Sequence, residues 1–275
     1  AGKAHRFCIF GAGTAGTGIA DQICRAIAVR EGLSEDEIRR NFYLIDRNGL
    51  LQSNHADLLY FQKPYARSHD ELRNWKVSNP DRITLLETVL NARPTVLIGC
   101  SAVAGAFTDE VIAGMLKNTG KPLIMPLSNP TEKAETTPLQ ILKVTQGKAL
   151  IATGSPFGNV THDGRKIEIS QCNNALIFPG IGLGMIISRA RSLSDEMLLA
   201  ASECLGRLNR ADDNASSLLP GFAEIQKISD EVAMAVARQA FKEGLAPAVD
   251  DTTLLQRIID SVWKPCYADY ITSNE

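Results

Sequence analysis

Residues 7 to 19 read Phe7-Cys8-Ile9-Phe10-Gly11-Ala12-Gly13-Thr14-Ala15-Gly16-Thr17-Gly18-Ile19. Four apolar residues, a glycine-rich turn and then Ile19, Ile23 and Ile27 at helical spacing predict a strand, a tight turn and a helix. In such a unit the first glycine permits the turn, the second lets backbone approach a pyrophosphate and the third lets helix and strand pack closely. The phosphates would sit on the helix N-terminus, where unpaired N–H groups and the dipole favour an anion. Gly11 to Gly16 is therefore a candidate dinucleotide-binding loop, although Gly-Ala-Gly also occurs as a plain turn.

The same fingerprint asks for an acidic residue at the end of the second strand. The run Phe42-Tyr43-Leu44-Ile45 ends in Asp46, farther from Gly16 than the usual gap of about 20 residues. The excess has a local cause. Glu31-Gly32 closes the first helix, and Ser34-Glu35-Asp36-Glu37 reads as a capping box for a second, short one. Asp46 can then reach the adenosine ribose hydroxyls, with Arg47 beside it. Asp46-Arg47-Asn48-Gly49 also fits a simple strand-end turn.

The 275 residues suffice for one large domain or two smaller ones. Hydrophobic residues make up 44%, charged ones 22%, and the net charge is −2, so no basic stripe marks a nucleic-acid or lipid surface. No apolar run reaches the roughly 18 residues of a membrane span, and no signal peptide is visible. Cys8, Cys24, Cys100, Cys172, Cys204 and Cys266 show no paired or metal-ligand rhythm and read as reduced thiols of a cytoplasmic protein. His5, His55, His69 and His162 fall in polar stretches without a second ligand at useful spacing. A small-molecule ligand is the default.

Beyond Asp46 the chain is polar and irregular to Asn79, with a short helix expected from Asp70 to Trp75. Asn79-Pro80 reads as the N-cap and first turn of a helix bearing Leu85, Leu86, Val89 and Leu90. A strand is expected at Thr95 to Ile98, a helix at Thr108 to Lys117, a strand at Leu123 to Leu127, a helix at Pro138 to Val144 and a strand at Ala149 to Thr153. That alternation predicts a parallel sheet covered on both faces. Asn159 to Ile169, centred on Asp163-Gly164, reads as a β-hairpin. From Pro179 on, almost everything reads as helix. Ser194 is an expected cap, Phe222 to Val236 carries an apolar stripe, and a last helix precedes Pro265.

Ligands of doubly wound sheets lie outside the carboxyl ends of the strands. Gly11-Ala12-Gly13, Gly99-Cys100-Ser101, Ser128-Asn129-Pro130-Thr131 and Gly154-Ser155-Pro156 occupy four such ends. Small polar residues there suit a cofactor crevice, with Cys100, Ser101 and Asn129 as candidate contacts; singly, each group also fits an ordinary turn. The amides of Asn129, Asn173 and Asn174 can donate to a carboxylate and accept from a hydroxyl without adding charge, as a hydroxy acid requires. They equally fit turn or helix caps.

Five segments together resemble the NAD-binding half of malic enzymes, most nearly the bacterial NAD-dependent form. They are Phe7 to Asp21, Ile45 to Leu51, Pro126 to Thr131, Ala152 to Phe157 and Gln171-Cys172-Asn173-Asn174-Ala175 with its trailing Phe178-Pro179-Gly180-Ile181-Gly182-Leu183-Gly184. The resemblance implies an α/β fold, a doubly wound, mostly parallel Rossmann-type sheet over residues 1–172, and a mainly helical C-terminal region over 173–275 that packs on an N-terminal half. It also implies oxidative decarboxylation of malate to pyruvate and CO2, with NAD as hydride acceptor and NADP a weaker alternative. Gly11 to Gly16 would contact the pyrophosphate, Asp46 the ribose, and Asn129, Asn173 and Asn174 the malate.

In the family a lysine base, a tyrosine, a substrate-binding arginine and three acidic ligands for Mn or Mg lie N-terminal to the glycine loop. Only ten residues precede Gly11 here. The expectation is a cofactor domain with no catalytic or metal-binding residue of its own, inactive alone, self-associating, and with its C-terminal helices exposing an apolar face. The alternatives are a freestanding NAD-binding redox sensor and an amino-acid-dehydrogenase-like enzyme; neither a partner-binding element nor a second base and carboxylate clamp is visible.

Overall fold

Phe7–Phe10 forms β1, and the glycine turn leads into α1 (Thr14–Glu31), which stops at the left-handed Gly32. The computed structural model describes residues 5–208, 218–263 and 267; Cys266 and Pro265 lie outside them. The capping box of Ser34 and Glu37 starts α2 (Glu35–Arg39), and β2 (Phe42–Asp46) follows. The chain then turns back as β3 (Gly49–Leu50), a two-residue strand antiparallel to β2. A 3-10 turn at Lys63–Tyr65 and the one-turn α3 (His69–Leu72) occupy the irregular stretch.

The next helix departs from the sequence expectation. It starts at Thr84, not at Asn79-Pro80, and α4 spans Leu85–Ala92. Thr84 and Glu87 cap each other reciprocally, while Asn79 forms a turn by accepting from the Asp81 N–H at 3.0 Å. Ile83 stays outside the helix because it is buried and its carbonyl accepts from the Leu50 N–H at 2.9 Å. A tertiary pairing thus overrides a local cap.

The regular alternation then runs as expected: β4 (Val96–Gly99), α5 (Asp109–Thr119), β5 (Leu123–Pro126), α6 (Pro138–Thr145) and β6 (Leu150–Thr153). The hairpin is β7 (Val160–His162) and β8 (Arg165–Ile167), with positive φ at both Asp163 and Gly164 as a tight primed turn requires. The short β9 (Ser170–Gln171) adds a further parallel strand beside β6. The order across the sheet is β3-β2-β1-β4-β5-β6-β9, with every neighbouring pair parallel except β2 and β3. This is the doubly wound α/β sheet, its order reversing between β1 and β4.

Alternation along the strands builds two cores. Phe7, Ile9, Phe42, Leu44, Val96 and Ile98 pack with Ala20 and Cys24 of α1, and the rings of Phe7 and Phe42 stack at 4.5 Å. Cys8, Tyr43, Ile45 and Leu97 point the other way, onto Val89, Ile112, Met115 and Ile141 of the following helices.

The chain falls into two compact units. The first holds the sheet, to Asn173, and regains Leu208 and residues 218–221, where the Leu218 and Leu219 N–H groups donate to Ser170 Oγ at 2.6 and 3.2 Å. The second contains α7 (Phe178–Ser188), α8 (Asp195–Arg207), α9 (Ile225–Lys242) and α10 (Asp251–Ser261). Within it, a Cβ on Gly180 would stand 2.6 Å from Val232 Cβ, and one on Gly184 would stand 2.7 Å from Val236 Cβ. Only glycine lets α7 approach α9 so closely. The apolar stripe of α9 is consequently covered, with Ile228, Val232 and Val236 all buried, contrary to the expected exposed face. Exposed apolar side chains of this unit include Phe178 and Ile186 of α7, Phe222 ahead of α9, Leu255 and Ile259 of α10, and Trp263.

Candidate functional site

The glycine loop is shaped by contacts that admit no side chain. Gly11 has φ +110°, and a Cβ there would lie 2.5 Å from the Cys100 backbone; one on Gly16 would lie 2.0 Å from the Gly11 carbonyl oxygen. Gly13 differs. Nothing stands within 4 Å of a Cβ built on it, so its backbone faces open space. It is also the N-cap of α1, with no side chain capping that end and no acidic residue in the first turn. The starting N–H groups of an 18-residue helix are left for an anion. Thr14 and Ala15 are exposed beside this opening, whereas Ala12 and Gly16 are buried beneath it.

A cleft of about 560 Å³ opens from this loop across the strand ends. Gly11, Gly13, Asp46, Arg47, Cys100 and Ser101, six of the sequence-derived candidates, line it together, with Phe10, Ile45, Leu85 and Val103 as apolar walls. Asp46 is held from two sides: its Oδ1 accepts from the Arg47 N–H and its Oδ2 from the Gln62 amide, both at 2.9 Å. A carboxylate has about four acceptor sites, so capacity remains for ribose hydroxyls.

Gln62 is a residue that pattern reading missed. It is 3% exposed, and its Nε2 also donates to the Ala12 carbonyl at 2.9 Å while its Oε1 accepts from the Leu59 N–H at 3.0 Å. One side chain therefore joins the glycine loop to Asp46. A glutamine in an irregular stretch carries no motif, so no signal in the sequence singles it out.

Glu135 is the second such residue. It is fully buried beneath the ends of β4 and β5, and its Oε1 accepts from the N–H and hydroxyl of Ser101, both at 2.9 Å, and from the Ser128 hydroxyl. Its Oε2 lies 3.4 Å from the Ser128 N–H. The Cys100 thiol beside it, which lines the cleft, is pushed up to about 12, by burial first and then by the negative charges of Glu135 and Cys172. The sequence hint to Glu135 is its place a few residues beyond Ser128-Asn129-Pro130-Thr131.

Asn129 is exposed at the end of β5, follows Ser128 and precedes a cis peptide bond to Pro130. Its Oδ1 accepts from the Ser155 hydroxyl at 2.6 Å, which ties the β5 end to the β6 end. Asn173 closes the first unit just beyond β9, and Asn174 opens the second as the first residue of a 3-10 turn, with its side chain exposed.

A family model described as malic enzyme, NAD binding domain, matches residues 3–241. The chain belongs to that family. This malic enzyme domain is 44% identical over 264 residues to NAD-dependent malic enzyme 3 of Bacillus subtilis, covering 96% of this chain and 46% of that protein. It is 46% identical over 267 residues to the NAD-dependent malic enzyme of Salmonella paratyphi B, covering 97% and 47%. The chain thus spans about half the length of the curated relatives it matches. Among solved structures, the malic enzyme of Entamoeba histolytica superposes with a TM-score of 0.68 at 24% identity, over 94% of this chain and 46% of that one. That of Pyrococcus horikoshii gives 0.68 at 22%, over 93% and 52%. The fold is therefore that of malic enzymes.

The cradle fits a dinucleotide through its open Gly13 backbone, uncapped helix end and anchored Asp46. A divalent ion finds no such fit. Among the described residues no three His, Cys, Asp or Glu side chains are gathered to hold one. No described helix is long and apolar enough to cross a membrane.

Proposed function

We propose that this chain binds NAD in the cleft at Gly11 to Gly16 and serves as the cofactor-binding portion of an enzyme that oxidatively decarboxylates malate to pyruvate and CO2. The observation that carries the reading is Gly13: open backbone at an uncapped helix N-terminus, with a tethered carboxylate across the same cleft. Bound NAD supplies the hydride acceptor. The α1 N–H groups hold its pyrophosphate, Asp46 accepts from its adenosine ribose, and Cys100, Ser101 and Asn129 border its other half. Each of Asn129, Asn173 and Asn174 offers an amide that suits the carboxylate and hydroxyl of malate. On this reading the base and the Mn or Mg ligands come from a part of the enzyme other than this chain.

Family membership, with relatives of about 45% identity named for NAD dependence, supports this assignment over a sensor or an amino-acid dehydrogenase. Free buried Cys8 and Cys24 suit a reducing cytoplasm. The exposed Leu255, Ile259 and Trp263, the last 80% exposed, suit self-association.

Calorimetry with NAD tests the cofactor assignment. The protein should bind NAD, and a Gly13→Leu variant that remains folded should not, because the added side chain fills the pyrophosphate position. Undiminished binding by that variant would overturn the assignment. In the complete enzyme, Asn129→Ala and Asn174→Ala should each cost about 1.5–3 kcal/mol in kcat/KM for malate, the worth of a hydrogen bond to a charged group. Unchanged kinetics would make both residues structural caps.

A further inference from the structure

We propose that Glu135 is a positioning residue whose buried negative charge makes this site prefer oxidised NAD to NADH. The inference rests on the cofactor reading above and extends it to a redox-state preference.

Glu135 has no exposed surface, and its neighbours are built around it. A Cβ on Gly99, the last residue of β4, would stand 2.4 Å from Glu135 Cδ, so glycine there makes room for the carboxyl group. The donors that reach it come from both strand ends: the Ser101 N–H and hydroxyl, and the Ser128 hydroxyl with its N–H at longer range. Ser128 passes the connection on, since its Oγ lies 2.9 Å from the Ala102 N–H. Two hydroxyls and two N–H groups directed at one carboxyl are the partners of an acceptor-only carboxylate. Among the described residues, no Lys or Arg forms an ion pair with it within 4.0 Å.

Sheet order places this charge relative to the cofactor. Asp46 at the end of β2 marks the adenosine side, Gly13 after β1 marks the pyrophosphate, and β4 and β5 follow on the far side of the reversal. A dinucleotide crossing that reversal lays its nicotinamide half over the ends of β4 and β5. Ser101, which lines the cleft, is the residue Glu135 grips. The nicotinamide ring carries a positive charge in NAD and none in NADH. A fixed negative charge under those strand ends lowers the energy of the cation selectively, through an interior that screens it poorly. The same carboxylate also fixes the Ser101 backbone, and fixing geometry alone would act on both redox forms alike. That contrast separates the charge from mere architecture.

The experiment is calorimetric titration of the protein with NAD and, separately, NADH, giving the ratio of the two dissociation constants. Glu135→Gln keeps the shape and removes the charge, and the preference for NAD over NADH should fall by about five-fold or more. Ser128→Ala removes a donor that favours the charged form of the buried Glu135 carboxyl, so the preference should fall. If Glu135→Gln weakens both ligands by the same factor, Glu135 is only a scaffold and the inference is overturned. If Glu135→Gln does not fold, Ser128→Ala decides: a lowered preference supports the inference, and an unchanged or raised one overturns it. Failure of the unaltered protein to bind either form would overturn the cofactor reading itself, a result distinct from an unaltered ratio.

Discussion

Gln62 Nε2 lies 2.9 Å from Asp46 Oδ2. The acid proposed to contact the ribose is thus aimed by a buried amide from an irregular loop, and the same nitrogen holds the Ala12 carbonyl of the glycine turn. Gln62→Ala should raise the Kd for NAD about ten-fold, because Asp46 and the turn lose their common anchor. Stability should drop by about 1–3 kcal/mol. Calorimetry and urea denaturation of one preparation would read both, and unaltered NAD affinity in a folded variant would show that Asp46 keeps its aim unaided.

Cofactor selection should follow the charges around the same carboxylate. Asp46 repels a 2′-phosphate, while Arg47 and Arg82 line the cleft beside it and the Arg82 guanidinium donates to the Arg47 carbonyl at 3.4 Å. The protein should prefer NAD, and Asp46→Ala should move the preference toward NADP as the two arginines lose their counter-charge. Equal affinities for the two cofactors in the unaltered protein, at physiological ionic strength, would remove Asp46 as the selector.

The glycines of α7 should behave as opposites although they sit two residues apart. Gly180→Ala drives a methyl group into Val232 and the Ser229 carbonyl, and should destabilise the protein by about 1–3 kcal/mol. Gly182 has nothing within 4 Å of a built Cβ, so Gly182→Ala should stabilise by about 0.5–1 kcal/mol through helix propensity. Denaturation midpoints moving in the same direction would refute the packing role assigned to Gly180.

Glu87 ties stability to pH. Burial pushes its carboxyl up, but hydrogen bonds from the N–H and hydroxyl groups of Ser78 and Thr84 outweigh this and bring it from 4.5 down to about 2. A carboxyl depressed in the folded state contributes stability that is complete above its unfolded value and is lost as pH falls toward the folded one. Glu87→Gln should therefore be less stable than the unaltered protein at pH 7, with the gap narrowing from about pH 4.5 downward. A gap that stays constant from pH 7 to pH 3 would mean that the cap does not depend on the carboxylate charge.

Much of the first unit was legible because its signals are local. An apolar run before Gly11, a capping box at Ser34 and the turn pair Asp163-Gly164 each act within a few residues. Strand and helix periods then dictate which face each element buries, and a βαβ alternation leaves few topologies open. Asp46 was readable for the same reason, as the polar residue that ends an apolar strand.

The rest depends on residues distant in sequence. Asn79-Pro80 has the chemistry of a helix start, yet the Ile83 carbonyl pairs with Leu50 and pushes the start to Thr84. Strand β9 is two residues long and owes its place to β6, and the α9 stripe is buried because Gly180 and Gly184 let α7 come close. Gln62 and Glu135 became visible only when the fold brought an irregular loop against Asp46 and a buried carboxylate under Ser101 and Ser128. Periodicity and capping are short-range and can be read along a chain; a hydrogen bond between separate loops takes its meaning from the geometry that brings its partners together.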